Sequence, residues 1–155
     1  MIKISNPDGT LTAEIDPVGA ALSKVTFNNQ QLVGSPDEFS GVILFPWPNR
    51  IFEGNYTFRH ISHNLIVNHL ETNSALHGLV FNKTFDAKRI NSEKLELYFS
   101  NSELNGYPFS FQLAISYQVL GNELICRARV TNLDSQSIPF SLGFHPYFLV
   151  TDTAR

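Results

Sequence analysis

Two histidines lie where the strand-like pattern of the sequence breaks, in the stretches 73–83 and 138–148. His77 precedes a glycine, which permits a tight turn, and His145 precedes Pro146, which favours an extended backbone at the histidine. An imidazole titrates near neutral pH, so it can give and recover a proton during a reaction. Each ring could equally be a buried, hydrogen-bonded histidine of a loop. The residues alone leave acid–base chemistry and a structural role open.

A third candidate is an arginine that follows a proline-rich interruption of an apolar run. The run 42–45 ends in Pro46-Trp47-Pro48. Prolines cannot donate the hydrogen bonds of a central strand, and they fix their own backbone angle. We therefore expect a rigid bend that presents Asn49 and Arg50, with Arg50 as a cation at an aromatic rim.

The five histidines do not predict a metal site. His60 and His63 are three residues apart in a stretch with the pattern of a continuous strand, where odd spacing places side chains on opposite faces. His63 and His69 would share a face, but six strand residues separate them by roughly 20 Å, too far for one ion. No glycine-rich phosphate loop or nucleophile elbow is present. We expect neither a metal nor a cofactor.

Most of the chain has the two-residue period of β-strands. Turn residues at 6–9, 28–29 and 121–122 separate predicted strands, and no helical pattern of ten or more residues is present. The strands 94–100 and 111–119 alternate apolar and polar residues. The next strand, 123–132, is predicted to point four residues inward: Leu124, Cys126, Ala128 and Val130. The pattern predicts an all-β, antiparallel sandwich.

Length and composition predict one compact body over residues 1–155. The net charge of −3 makes nucleic acid an improbable partner. The N-terminus lacks the pattern of a signal peptide, and the apolar runs are too short to span a membrane, so we expect a soluble, cytoplasmic protein. Cys126 is the single cysteine and cannot form an intramolecular disulfide. The alternation around it predicts a buried thiol in a strand rather than a nucleophile.

Four stretches taken in order carry a family resemblance: "ILFPWPNRIFEGNYTF", "ALHGLVFNK", "GYPFSFQLAISYQV" and "PFSLGFHPYF". From about Gln31 to Phe148 the chain resembles the aldose 1-epimerase (galactose mutarotase) family. The resemblance implies a large antiparallel β-sandwich, or supersandwich, and interconversion of the α and β anomers of a free aldohexose without a cofactor. It assigns His145 as the acid that protonates the ring oxygen and places His77 at the oxygens of the reacting region. Asn49 and Arg50 would bind the sugar.

The chain departs from the family pattern after the His-Pro-Tyr-Phe motif. The family's general-base glutamate and a further pocket aspartate lie well downstream of that motif, whereas only Asp152 follows it here. The chain is thus similar to the N-terminal half to two-thirds of a mutarotase, and the predicted sandwich domain is C-terminally truncated. Its strand edges and apolar faces would be uncovered, so self-association is expected.

Three further expectations concern function. A non-catalytic carbohydrate-binding sandwich would keep Arg50, His77 and His145 without a base. A hexose-phosphate 1-epimerase would need additional cations, and near Arg50 in the sequence only Arg59 is available, a residue expected to be a solvated strand position. Trp47 and Phe144 could stack on a sugar, but core packing is favoured for both.

Overall fold

The computed structural model describes residues 1–101 and 104–150, and these form fourteen strands and one short 3₁₀ helix. In chain order the strands are β1 (Ile2–Ser5), β2 (Leu11–Asp16), β3 (Ala21–Phe27), β4 (Gln30–Val33), β5 (Ile43–Leu44), β6 (Arg50–Phe52), β7 (Asn55–Phe58), β8 (Ile61–Asn64), β9 (Ser74–Leu76), β10 (Asp86–Arg89), β11 (Lys94–Asn101), β12 (Phe111–Leu120), β13 (Glu123–Asn132) and β14 (Gly143–Phe144). The 3₁₀ helix, Leu70–Thr72, precedes β9.

Two four-stranded antiparallel sheets form the body, in the orders β1-β2-β3-β4 and β10-β11-β12-β13. Alternate residues of β2 and β12 are buried and belong to one core cluster, which the two sheets share. The Tyr117 hydroxyl donates to the Ala20 carbonyl at 2.8 Å, inside that core. The fold is therefore the predicted all-β, antiparallel sandwich, and the predicted hairpins are present.

Three short strand pairs extend the body and build the loops of interest: β5 with β14, β6 with β9, and β7 with β8. All three are antiparallel. The pairs β5–β14 and β6–β9 join segments that are distant in sequence, so each brings together residues that the sequence keeps apart.

The predicted inward face of β13 is wrong in part. Cys126 and Ala128 are exposed, while Leu124 and Val130 are half-buried. β13 is an edge strand that pairs with β12 alone, and no described layer covers its apolar face. Cys126 instead lies on an open apolar groove of about 430 Å³, which Leu124 and Phe148 also line. Although the residue is exposed, the apolar surroundings of the groove raise the pKa of the Cys126 thiol to about 11, which leaves it uncharged and a poor nucleophile.

The predicted continuous strand over residues 55–70 is also wrong. The chain turns back at Arg59 and His60, which form the two-residue connection between β7 and β8. Their φ angles are 50° and 66°. Arg59 is therefore a turn residue rather than a strand residue, and its guanidinium donates to Ser137 Oγ at 3.1 Å. His63 stacks on Tyr56 with ring centroids 4.8 Å apart.

Two negative findings hold for residues 1–101 and 104–150. No helix there is long and apolar enough to cross a membrane. No three side chains among the histidines, cysteines, aspartates and glutamates of the same ranges are grouped as metal ligands would be.

Candidate active site

The pairing of β6 with β9 brings Arg50 and His77 together. Arg50 is the first residue of β6 and lies opposite Leu76, the last residue of β9. His77 follows Leu76 directly in the chain. Arg50 and His77 are far apart in the sequence but therefore lie at the same end of the β6–β9 pair.

Asn49 links this arginine to this histidine. Its backbone N–H donates to His77 Nδ1 at 3.1 Å, and its carbonyl accepts from the His77 N–H at 2.9 Å. Its side-chain Oδ1 accepts from Arg50 Nη1 at 3.0 Å. Both Asn49 and His77 have a φ of 62°, a left-handed conformation that asparagine and histidine tolerate better than most residues. Since a backbone N–H only donates, Nδ1 is the acceptor, and the proton of the neutral His77 ring is on Nε2.

The proline-rich bend holds Asn49 in place through Trp47. Trp47 is 8% exposed, and its indole N–H donates to the Ala75 carbonyl of β9 at 3.2 Å. The peptide between Phe45 and Pro46 is cis. The expected core packing of Trp47 is confirmed, and the side chain anchors the bend to the strand that carries His77.

His145 lies near the other end of the chain and directly follows β14. This strand pairs with β5, which leads into the proline-rich bend. The His145 backbone then continues the pairing, because its N–H donates to the Val42 carbonyl at 3.2 Å and its carbonyl accepts from the Gly41 N–H at 2.8 Å. The three candidate side chains, those of Arg50, His77 and His145, thus depend on one continuous segment, residues 41–50.

The two histidine rings meet in this arrangement. Their centroids are 5.1 Å apart and their planes are nearly perpendicular, at 82°. The expected convergence of the two loops is therefore present in the structure. Both residues are half-buried, whereas Arg50 and Asn49 are exposed, so the site is open to solvent on the arginine side.

Phe39 contacts both histidines, although no sequence pattern indicated it. Its ring lies 4.8 Å from the His77 ring, edge to face, and 6.2 Å from the His145 ring, measured between centroids. Phe81 packs behind Phe39 at 5.2 Å. The Tyr147 ring lies 5.1 Å from the His145 ring. Aromatic rings therefore pack against both imidazoles.

The charge state of His77 follows from these surroundings. Removal from water lowers the pKa of His77, and the neighbouring His145, Arg50 and His69 lower it further. His77 is consequently a neutral imidazole at pH 7, in agreement with its role as acceptor from Asn49. The pKa of the Tyr147 phenol is raised by its withdrawal from water and by the nearby Asp37 carboxylate.

The expected core packing of Phe144 is wrong. Its ring is 46% exposed and lines the apolar groove beside β13. In an extended segment successive side chains point to opposite faces. Phe144 therefore faces away from its neighbour His145, and the groove it lines is left open because no described layer covers it.

The comparisons with known proteins agree with the fold described above. A family model described as aldose 1-epimerase matches residues 1–154. The chain belongs to the aldose 1-epimerase family. A galactose mutarotase-like protein from Lactobacillus casei ATCC 334 is 27% identical, with a TM-score of 0.82 over 97% of this chain and 50% of that chain. A GalM/aldose epimerase homologue from C. elegans is 25% identical, with a TM-score of 0.79 over 96% of this chain and 50% of that chain.

A curated relative from Escherichia coli (strain K12), the uncharacterized protein YihR, is 28% identical over 151 residues, which are 93% of this chain and 49% of YihR. The chain thus spans about half the length of these relatives. The described fold corresponds to about half of a galactose mutarotase-like sandwich, as the sequence predicted. Asp152, the carboxylate after the last motif, lies outside the described residues.

Proposed function

We propose that this chain supplies the acid and the sugar-binding groups for interconverting the α and β anomers of a free aldohexose. The observation that carries the proposal is the meeting of His77 and His145, with ring centroids 5.1 Å apart, beside Arg50. Membership in the aldose 1-epimerase family makes a sugar the expected ligand. A cytoplasmic location is part of the proposal, and the single cysteine favours it.

The reaction requires one proton to leave and another to arrive. A base removes the proton from the C1 hydroxyl while an acid protonates the ring oxygen, so the bond between C1 and the ring oxygen breaks and an aldehyde forms. Rotation about the bond between C1 and C2 and reclosure on the other face give the second anomer, and both protons return. His145 is proposed as the acid, because an imidazole can give and recover a proton near neutral pH.

His77 is proposed to hold the oxygens of the reacting region. Its Nδ1 is occupied by the Asn49 N–H, so its Nε2–H is the group free to donate to a sugar oxygen. The lowered pKa keeps His77 neutral beside His145, so His77 does not add a positive charge that would disfavour protonated His145. Arg50 and Asn49 are proposed to bind sugar hydroxyls, with the exposed guanidinium as the principal donor.

The general base is the missing component. By the family resemblance it is a glutamate in a segment downstream of residue 148. Loss of a positioned base commonly lowers a rate by about 10²- to 10⁴-fold. We therefore expect the 155-residue chain alone to bind sugar and to be a slow mutarotase.

Polarimetry of freshly dissolved α-glucose and α-galactose tests the proposal. The proteins are the 155-residue chain, a version extended through the downstream glutamate, and the His145→Ala variant of each. His63→Ala is the matched control, because His63 lies in the β7–β8 hairpin against Tyr56. We expect the extended protein to be the fastest and His145→Ala to lower its rate by about 10²-fold or more, with His63→Ala unchanged. An extended protein whose rate survives His145→Ala would refute the assignment of the acid.

A non-catalytic sugar-binding sandwich is the second candidate, and the family resemblance, which implies a base downstream of residue 148, favours it for the isolated chain. Binding of glucose or galactose without any acceleration by the extended protein would support it. A hexose-phosphate 1-epimerase is disfavoured, because the Arg59 guanidinium, in the turn between β7 and β8, is hydrogen-bonded to Ser137 Oγ.

A further inference from the structure

We propose that Phe39 is a positioning residue of the sugar site, whose ring sets the mutual orientation of His77 and His145. The proposal rests on the function proposed above for those histidines. Its basis is that one ring contacts both imidazoles, at 4.8 Å from His77 and 6.2 Å from His145 between centroids, while the imidazoles lie 5.1 Å apart. The three rings are mutual neighbours, so a turn of either imidazole about its χ angles changes its packing against Phe39.

Backbone hydrogen bonds tie Phe39 to the segment that pairs with His145. The Phe39 N–H donates to Asp37 Oδ1 at 3.2 Å, and the Phe39 carbonyl accepts from the Val42 N–H at 3.4 Å. Val42 and Gly41 in turn make the two backbone hydrogen bonds to His145. A displacement of Phe39 is therefore transmitted to the segment that carries His145.

A second layer supports the ring from behind. Phe81 packs against Phe39 at 5.2 Å, and both belong to a cluster with three buried residues, Ala21, Val42 and Leu44. Among the described ring contacts, those of Phe81 are with Phe39 and not with an imidazole. Phe81 therefore offers a matched control: it shares the packing of Phe39 without touching either histidine.

The physical consequence is twofold. The apolar ring keeps water from one side of each imidazole, which favours the neutral form of His77. The ring also removes rotational freedom, so the Nε2–H of His77 and the acid on His145 are presented to the same sugar. Misplacement of a catalytic group by about 1 Å can cost about 10²-fold in rate.

Nuclear magnetic resonance of the imidazole signals tests the proposal in the 155-residue chain. In the wild-type chain we expect nuclear Overhauser effects from the Phe39 ring protons to the imidazole protons of both histidines. Phe39→Ala should remove the ring-current shift from those imidazole protons and move the titration of His77 upward, towards the ordinary histidine range. Phe39→Tyr should keep both properties, and Phe81→Ala, which removes only the support behind Phe39, should change the imidazole signals less than Phe39→Ala does.

A kinetic measurement in the extended protein separates positioning from folding. Phe39→Ala should lower kcat by about 10- to 100-fold with a smaller change in KM, whereas Phe39→Tyr should keep the kcat of the wild type. If Phe39→Ala does not fold, Phe39→Leu keeps apolar volume while removing the ring, and the Overhauser effects of the wild type remain decisive.

Three results would overturn the role of Phe39: absent Overhauser effects to either histidine, imidazole signals unchanged by loss of the ring, or equal changes in Phe81→Ala. Failure of the proposed function has a different appearance. An extended wild-type protein without mutarotase activity would refute that function, even where the imidazole signals respond to Phe39 as expected.

Discussion

Gly78→Ala should destabilise the chain more than an ordinary loop substitution, because Gly78 combines a left-handed backbone with a close approach. Its φ is 81°, which costs an L-residue about 1–2 kcal/mol. A Cβ at this position would lie 2.2 Å from the Phe45 carbonyl oxygen, so the two segments would have to separate. That carbonyl accepts from the Leu79 N–H at 2.7 Å. Strain of about 1–3 kcal/mol and a weakened hydrogen bond of about 1 kcal/mol give a total loss of about 3–6 kcal/mol.

Gly121→Ala is the matched control for this substitution. Gly121 has a φ of 57° in the turn between β12 and β13, and an added Cβ would meet nothing within 4 Å. It should therefore lose only the backbone cost of about 1–2 kcal/mol. Urea denaturation followed by far-ultraviolet circular dichroism measures both free energies of unfolding. Equal losses in the two variants would show that Gly78 and Phe45 do not approach closely and would refute the geometry beside His77.

Three further predictions concern pH, the proline-rich bend and the apolar groove. Folding lowers the pKa of His77, so the unfolded chain binds the proton more readily than the folded chain. Stability should therefore fall as pH decreases below about 6.5. Urea denaturation at several pH values should show less of this fall in His77→Gln, and an unchanged fall would contradict the assignment to His77. Trp47→Phe should lose about 1–3 kcal/mol in the same assay, since it removes the hydrogen bond from the indole N–H to the Ala75 carbonyl. An unchanged midpoint would count against that hydrogen bond. Sedimentation should show self-association of the wild-type chain, and the double variant Phe148→Ser with Leu149→Ser should reduce it, because both side chains line the groove. The control Leu70→Ser should not reduce it, because Leu70 is 85% exposed but lies outside the groove. A monodisperse wild-type monomer would refute this prediction.

The sheets could be predicted because their burial follows a local rule. In β12 every second residue from Phe111 to Val119 is buried, and the alternating sequence reports this directly. β13 shows the limit of the rule. Its sequence alternates as well, but whether an apolar face is buried depends on a covering layer, and that layer is not encoded in the strand itself.

The candidate site could be predicted only through the family motifs. His77, His145 and Arg50 stand out by residue type and by the breaks around them, but their meeting depends on the two-residue pairing of β5 with β14 and the three-residue pairing of β6 with β9. Strands that short carry no periodicity. Phe39 could not be found at all, because a phenylalanine in a loop has the same sequence appearance whether it packs on core or on histidines.

The turn at Arg59 and His60 was missed for a related reason. Two-residue hairpin connections usually contain asparagine, aspartate or glycine, which tolerate positive φ. Here an arginine and a histidine adopt that conformation, with φ angles of 50° and 66°. The tertiary contacts of the hairpin, such as the Arg59 hydrogen bond to Ser137, override the local preference.

The hydrogen bond from the Asn49 N–H to His77 Nδ1 makes one backbone amide a reporter of one side chain's charge. When His77 takes up a proton, Nδ1 becomes a donor and the Asn49 amide loses its acceptor. The amide hydrogen of Asn49 should then exchange with solvent deuterium faster than it would at the same pH with the hydrogen bond in place. The pH at which this protection disappears measures the protonation of His77 without any sugar or any turnover. Bound sugar that accepts from Nε2–H should shift that pH, so amide exchange at Asn49 would report occupancy of the site even in a chain that lacks the base.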